Sequence, residues 1–167
     1  MLFLAVLVPS TAIAWLLGRH TGGMRDHARR GLAAAMVIAG VTHFTKADPF
    51  VQHMPDWVPA RELIVYASGA LEIALGIALL LWREHRGSIG RLLAMYLVAV
   101  FPANVYVAIA DVDVTGQPGG FYAWIRLPLQ ALFVTWALWS TTSAHDVDAV
   151  YEARPPRWNV ANTPTSR

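Results

Sequence analysis

The sequence predicts an all-α fold, a polytopic bundle of five membrane-spanning helices. Of its 167 residues, 56% are hydrophobic and only 14% are charged, whereas a soluble domain usually carries about a quarter charged residues. Long apolar runs alternate with short polar connectors along the chain. Seven Trp and five Tyr residues are typical of the aromatic belts that mark membrane interfaces.

The first apolar run, Leu2 to Gly18, is predicted to be a retained membrane helix. Ala12-Ile13-Ala14 resembles a signal-peptide cleavage site, but no basic region precedes the apolar core as it does in signal peptides. Cleavage of residues 1–14 is the alternative. The Arg-rich residues up to 30 are predicted to form a cytoplasmic linker, which completes an N-terminal unit at 1–30.

Four further spans are predicted at 31–45, 63–82, 92–110 and 121–139, and they form a membrane domain at 31–141. The second span is weakly hydrophobic but rich in Gly and Ala, which favours close helix packing. The connector at 46–60 contains three prolines and several apolar residues, so we expect it to lie at the membrane interface. The polar tail at 142–167 is predicted to be disordered.

The distribution of basic residues predicts the orientation. Most of the 13 Lys and Arg residues fall in the linker after the first span, the loop after the third and the tail. Lys46, Arg61 and Arg126 lie on the other side. The positive-inside rule therefore places the N-terminus outside and the C-terminus in the cytoplasm.

The third span carries one ionisable residue, Glu72, among 20 residues from Leu63 to Trp82. At 1.5 Å per residue it lies about 15 Å into the helix, close to the bilayer midplane. A carboxylate there costs roughly 2.5–3.5 kcal/mol on the insertion scale. Ser68, Gly69 and Gly76 share its helix face, which suits contact with another helix. A partner for Glu72 is therefore expected.

Helical rise places polar residues of four spans in one layer of the outer half of the bundle. They are His43, Glu72, Asn104, Arg126 and Gln130. We predict an ion pair between Glu72 and Arg126, because pairing lowers the cost of both charges inside a membrane. The pair would either fix helix register or form part of a functional site. His43 is interpreted as a hydrogen-bonded imidazole rather than a haem or metal ligand, and Asn104 as an interhelical contact.

Composition also excludes several classes. There is no Cys, so this chain offers neither disulfides nor thiol chemistry. The formal net charge is only +2 and the Arg residues are dispersed, which argues against nucleic-acid binding. No metal site and no catalytic residue is predicted, and the chain is not expected to be an enzyme on its own.

Four strings together resemble the DoxX-like family of small bacterial integral membrane proteins. They are Gly40-Val41-Thr42-His43-Phe44, Ser68-Gly69-Ala70-Leu71-Glu72, Val100-Phe101-Pro102-Ala103-Asn104-Val105 and Arg126-Leu127-Pro128-Leu129-Gln130. The resemblance runs from about Arg30 to Trp139. It implies a four-helix core in the bacterial inner membrane, with the first span as an addition, and a link to quinol oxidase and sulfur or thiol redox systems.

Two functional hypotheses follow. In the first, the protein is a membrane subunit of a quinone- or thiol-linked redox system. Its polar layer would bind a quinone head group or dock a membrane or extracytoplasmic redox partner, with His43, Asn104, Arg126 and Gln130 as hydrogen-bond donors. In the second, it has a non-redox role in small-solute or proton transport, with Glu72 as the binding residue, or serves structure or assembly.

Overall fold

The computed structural model describes residues 2–17 and 23–142 of the chain. Within these ranges the structure is helical and has no strand. The helices are α1 (Leu2–Leu17), α2 (Met24–Thr45), α3 (Ala47–Val51), α4 (Arg61–Leu81), α5 (Arg86–Ile109) and α6 (Phe121–Thr141), with a 3₁₀ turn at Arg83–His85 before α5. The all-α prediction is confirmed. The predicted tail lies outside the described residues from position 143 onward.

Four long helices, α2, α4, α5 and α6, form the bundle, and α1 packs along α2. Their apolar core contains Leu32, Met36, Leu79, Leu93 and Ala137. Because consecutive long helices alternate in direction, two ends can be defined. The connector end carries α3, the rest of the segment up to residue 60, and the loop at 110–120. The arginine end carries the start of α2 and the 3₁₀ turn.

Helices α2 and α4 approach closely at glycines. A Cβ atom at Gly40 would lie 2.5 Å from the carbonyl oxygen of Gly69, and one at Gly69 would lie 2.6 Å from Cβ of His43. Gly76 meets the carbonyl of Ala33 in the same way. The small-residue face of α4 therefore packs against α2, where side chains beyond Gly would separate the helices.

Helix α2 begins at Met24, inside the stretch predicted to be a linker. Arg29 is only 2% exposed; it donates to the carbonyl oxygen of Leu79 and pairs with Asp26 at 3.2 Å. Asp26 also pairs with Arg83 at 3.1 Å. These contacts pair the charges of Arg29 and Asp26, so the helix can extend past the apolar run. Hydropathy locates only the apolar part of a helix and misses a charged first turn. For the same reason α5 begins at Arg86, although the apolar run begins near residue 92.

Among the described residues, two helical segments are long and apolar enough to cross a membrane, Arg61–Leu81 and Arg83–Ile109. Only 33% of the apolar stretch of the first segment and 28% of that of the second are buried within the protein. Large apolar side chains accordingly face outward, as with Leu63 at 67% exposure and Met95 at 69%. Helix α1 contributes a shorter apolar segment, Leu7–Leu16.

Candidate functional site

Glu72 lies on α4 at the interface with α2 and α5, and it is 9% exposed. Its Oε1 accepts a hydrogen bond of 2.7 Å from the hydroxyl of Tyr96 on α5. Its Oε2 is buried and has no hydrogen-bond partner. The nearest basic atom is Nε2 of His43, at 4.0 Å. One oxygen of this buried carboxyl group is therefore hydrogen-bonded, and the other is not.

His43 reaches Glu72 from the last turn of α2. Its Nδ1 lies 3.1 Å from the hydroxyl oxygen of Ser68, one turn before Glu72 on α4, and that hydroxyl donates to the carbonyl of Val65. The ring of Phe50 from α3 meets the imidazole edge-on, with centroids 3.8 Å apart. His43 is therefore a hydrogen-bonded imidazole inside the bundle.

The predicted ion pair between Glu72 and Arg126 is wrong. Among the described residues, Glu72 has Tyr96 and His43 as neighbours, whereas Arg126 is hydrogen-bonded by neutral side chains. The depth estimate placed both residues in one layer, but helix rotation turns their side chains into separate clusters. We call the first the carboxyl cluster: His43, Ser68, Glu72 and Tyr96.

Arg126 is the centre of a second group at the connector end. Its Nη1 lies 2.8 Å from Nε2 of His53 and donates to Oε1 of Gln117 at 2.7 Å. Its Nη2 donates to Oδ1 of Asn104 at 2.7 Å, and the ring of Tyr122 lies 6.0 Å from the guanidinium carbon. The guanidinium is thus held by α5, the connector and the 110–120 loop together.

Asn104 and Gln130 extend this group into the bundle. The amide of Asn104 lies 3.4 Å from Oε1 of Gln130, and Nε2 of Gln130 donates to the carbonyl of Leu97 at 2.6 Å. We call Arg126, His53, Gln117, Asn104 and Gln130 the arginine cluster. Each of the two amides therefore directs one of its two N–H donors at a protein acceptor.

His53 links the connector to Arg126. Its Nδ1 donates to the carbonyl of Pro49 at 2.5 Å, so Nε2 is the atom that accepts from Arg126. Burial lowers the pKa of His53 to about 4, and the charge of Arg126 acts in the same direction. Nearby, Gln52 exchanges hydrogen bonds of 3.1 and 2.8 Å with Thr115. The connector and the 110–120 loop are thereby fastened over the arginine cluster.

The five residues predicted to form one polar layer fall into both clusters. Phe50 lies between them, since its ring also stacks at 6.5 Å on His53. Tyr96 was not among the predicted residues, because it lies only four residues into the span predicted at 92–110, where a Tyr is expected as an interface residue. His53 and Gln117 carry no sequence signal either, because they lie in connectors whose contacts arise only on folding. In the described part of the chain, no three His, Asp or Glu side chains are grouped as metal ligands would be.

The comparison with known proteins identifies one family. No curated protein and no solved structure gave a significant match to the chain. Residues 32–141, about two thirds of the chain, match the family described as a domain of unknown function, DUF8561. The match begins within α2, ends at the last residue of α6 and contains both polar clusters. The chain therefore belongs to the DUF8561 family.

Proposed function

We propose that the protein is an integral membrane protein of five spans that carries out proton-coupled transport of a small solute, with Glu72 as its proton-binding residue. The observation that carries this proposal is the environment of Glu72. Its carboxyl group is buried in the bundle, receives one hydrogen bond from a neutral Tyr96, and has no cationic side chain of Arg or Lys paired with it among the described residues.

The membrane assignment is supported by the outward apolar surface of α4 and α5. A core helix of a soluble protein would bury most of that surface, whereas about two thirds of it here faces outward. We further propose the bacterial inner membrane, with the connector end outside and the arginine end in the cytoplasm, from the positive-inside rule. We also propose that the protein is DoxX-like, because the four strings that resemble that family lie within residues 32–141, which the family model matches.

Protonation explains the arrangement around Glu72. An ionised carboxylate offers acceptors to several donors, yet here only Oε1 receives one. Leaving a buried charge without pairing costs several kcal/mol, and binding a proton removes that charge. His43 lies 4.0 Å from the free oxygen, within reach of a proton transfer after a small movement. Ionisable residues inside membranes commonly mark proton relays.

Infrared spectroscopy of the purified protein tests the proton. We expect an absorption band of a protonated carboxylic acid that disappears in Glu72→Gln. Glu62→Gln is the matched control, because Glu62 lies in the first turn of the same helix and is exposed. In liposomes supplied with a candidate solute, the wild type should dissipate an imposed pH gradient faster than Glu72→Gln does, because coupled proton flux requires the solute. A band that persists in Glu72→Gln would refute the assignment.

A quinone-linked redox subunit is the second candidate function. It is supported by Arg126, whose hydrogen bonds account for three of the five N–H donors of a guanidinium. The remaining donors suit a quinone carbonyl in an apolar setting beside the Tyr122 ring. Extraction of quinone from protein purified in mild detergent, reduced in amount in Arg126→Gln, would favour this candidate. Quinone at the same level in both proteins would argue against it.

A further inference from the structure

Arg126 differs from the other paired arginines of the bundle in the chemistry of its partners. At the same end, Arg61 pairs with Asp56 at 2.6 Å, and at the other end Arg29 pairs with Asp26. Among the described residues, Arg126 pairs with no carboxylate, and its hydrogen-bond acceptors are the neutral side chains of His53, Gln117 and Asn104.

The charge of Arg126 is therefore held in position but not neutralised. His53 keeps its accepting nitrogen towards the guanidinium because its other ring nitrogen donates to Pro49. Cations inside a membrane protein are normally paired or face a water-filled cavity. Arg126 is only partly buried, so part of its side chain is open to a ligand at the connector end, although the connector and the 110–120 loop lie over the cluster.

We propose that Arg126 binds the carboxylate group of a small monocarboxylate at the connector end of the bundle. A guanidinium and a carboxylate match as planar forks that form two parallel hydrogen bonds, and the donors not used by the protein supply them. A single negative charge balances the single charge of Arg126. The neighbouring ring of Tyr122, 6.0 Å from the guanidinium carbon, offers apolar surface to the remainder of such a molecule.

This inference rests on the proposed function and names its substrate class. With a proton on Glu72, the arginine cluster and the carboxyl cluster together carry one positive charge, and a bound monocarboxylate makes the pair of clusters neutral. With Glu72 ionised, the two clusters are already neutral, and an added monocarboxylate leaves them with an uncompensated negative charge. Anion binding and proton binding therefore favour each other, which is the basis of symport.

The test compares benzoate with benzamide, which has the same ring and a neutral head group. Melting temperatures of the full chain in detergent are measured at constant ionic strength, since a ligand that binds the folded state raises the melting temperature. We expect benzoate to stabilise the wild type and benzamide not to. Equal stabilisation by both compounds would overturn the proposal and favour a site for neutral carbonyl groups.

Variants locate the site. Arg126→Gln should weaken benzoate binding by about tenfold or more, as expected from loss of a charged hydrogen bond, and Arg126→Lys should retain part of it. Arg61→Gln is the matched control, an arginine at the same end already paired with Asp56, and should bind benzoate as the wild type does. Unchanged binding in Arg126→Gln would overturn the proposal. If that variant does not fold, the comparison of benzoate with benzamide in the wild type decides.

Proton uptake separates this inference from the function on which it rests. At a pH above that at which the carboxylic acid band of Glu72 disappears, addition of benzoate to weakly buffered wild-type protein should raise the pH of the solution, and Glu72→Gln should bind benzoate without that change. Benzoate binding without proton uptake in the wild type would refute the proton-coupled function and leave the carboxylate site standing. A carboxylic acid band at Glu72 with no benzoate binding would refute the site alone.

Discussion

Replacement of Tyr96 by Phe removes the single hydroxyl that donates to Glu72, at 2.7 Å. Hydrogen bonds between neutral groups contribute about 1 kcal/mol, and those to charged groups about 1.5–3 kcal/mol. Measured values between membrane helices average about 0.6 kcal/mol. If Glu72 carries a proton, as proposed, the interaction between Tyr96 and Glu72 should therefore contribute about 0.5–1 kcal/mol to the free energy of unfolding.

A double-mutant cycle measures this interaction. The free energy of unfolding in mixed detergent and SDS micelles is determined for the wild type, Tyr96→Phe, Glu72→Leu and the double variant. Tyr66→Phe is the control, because Tyr66 is 39% exposed on the same helix as Glu72 and stacks on Phe44. A coupling energy near zero would refute the hydrogen bond. One above about 1.5 kcal/mol would refute the protonated carboxyl group.

Three further predictions concern packing, pH and the arginine end. Gly69→Val should destabilise the protein by about 1–3 kcal/mol by overpacking the contact with α2, whereas Gly119→Val, with no atoms within 4 Å of its Cβ position, should change the melting temperature little; equal losses would contradict the close contact. Burial disfavours the charged imidazole of His53 and lowers its pKa from 6.5 to about 4. The folded protein therefore has its full stability above pH 6.5 and loses about 3 kcal/mol of it as the pH falls towards 4. His53→Gln should consequently lose less stability than the wild type between pH 7 and pH 5 in thermal melts, and parallel curves would refute this role. Arg29→Gln should cost about 1–3 kcal/mol, because it leaves the buried carbonyl of Leu79 without its donor and removes one of the ion pairs of Asp26, against less than about 0.5 kcal/mol for the exposed Arg25→Gln; similar unfolding free energies for the two variants would show that the buried contacts of Arg29 contribute little.

The ion pairs at the arginine end also set a local pKa. Burial raises the pKa of Asp26, but the hydrogen bond and charge of Arg29, together with the charges of Arg83 and Arg30, outweigh that effect and leave the pKa below its usual value. The carboxylate at this end is therefore ionised and paired. Glu72 has no Arg or Lys partner among the described residues. Asp26 is therefore a structural acid, whereas Glu72 is the proposed proton-binding acid.

Which long helices form could be predicted from the sequence, because apolar runs are local, whereas the short helix α3 lies in the predicted connector. The helices predicted at 63–82 and 121–139 agree in position with α4 (Arg61–Leu81) and α6 (Phe121–Thr141) within two residues at each end. The same apolar patterns underestimated the lengths of α2 and α5, which begin six to seven residues earlier at the arginine end, at Met24 and Arg86. There, contacts from Arg29 to Asp26 and to the end of α4 stabilise charged helical turns, and no local signal reports contacts between distant segments.

The sequence by itself determined the helical class, the apolar surface of α4, and the presence of polar residues in four predicted spans. Only the tertiary structure decided how those residues are paired. Helical rise estimates depth, but the partner of a side chain depends on helix rotation and on the connectors that fold over the bundle end. A carboxylate and a guanidinium at similar depth led to the prediction of an ion pair between Glu72 and Arg126. In the structure, Glu72 is instead hydrogen-bonded by Tyr96. Arg126 donates to neutral side chains, which are those of His53, Gln117 and Asn104.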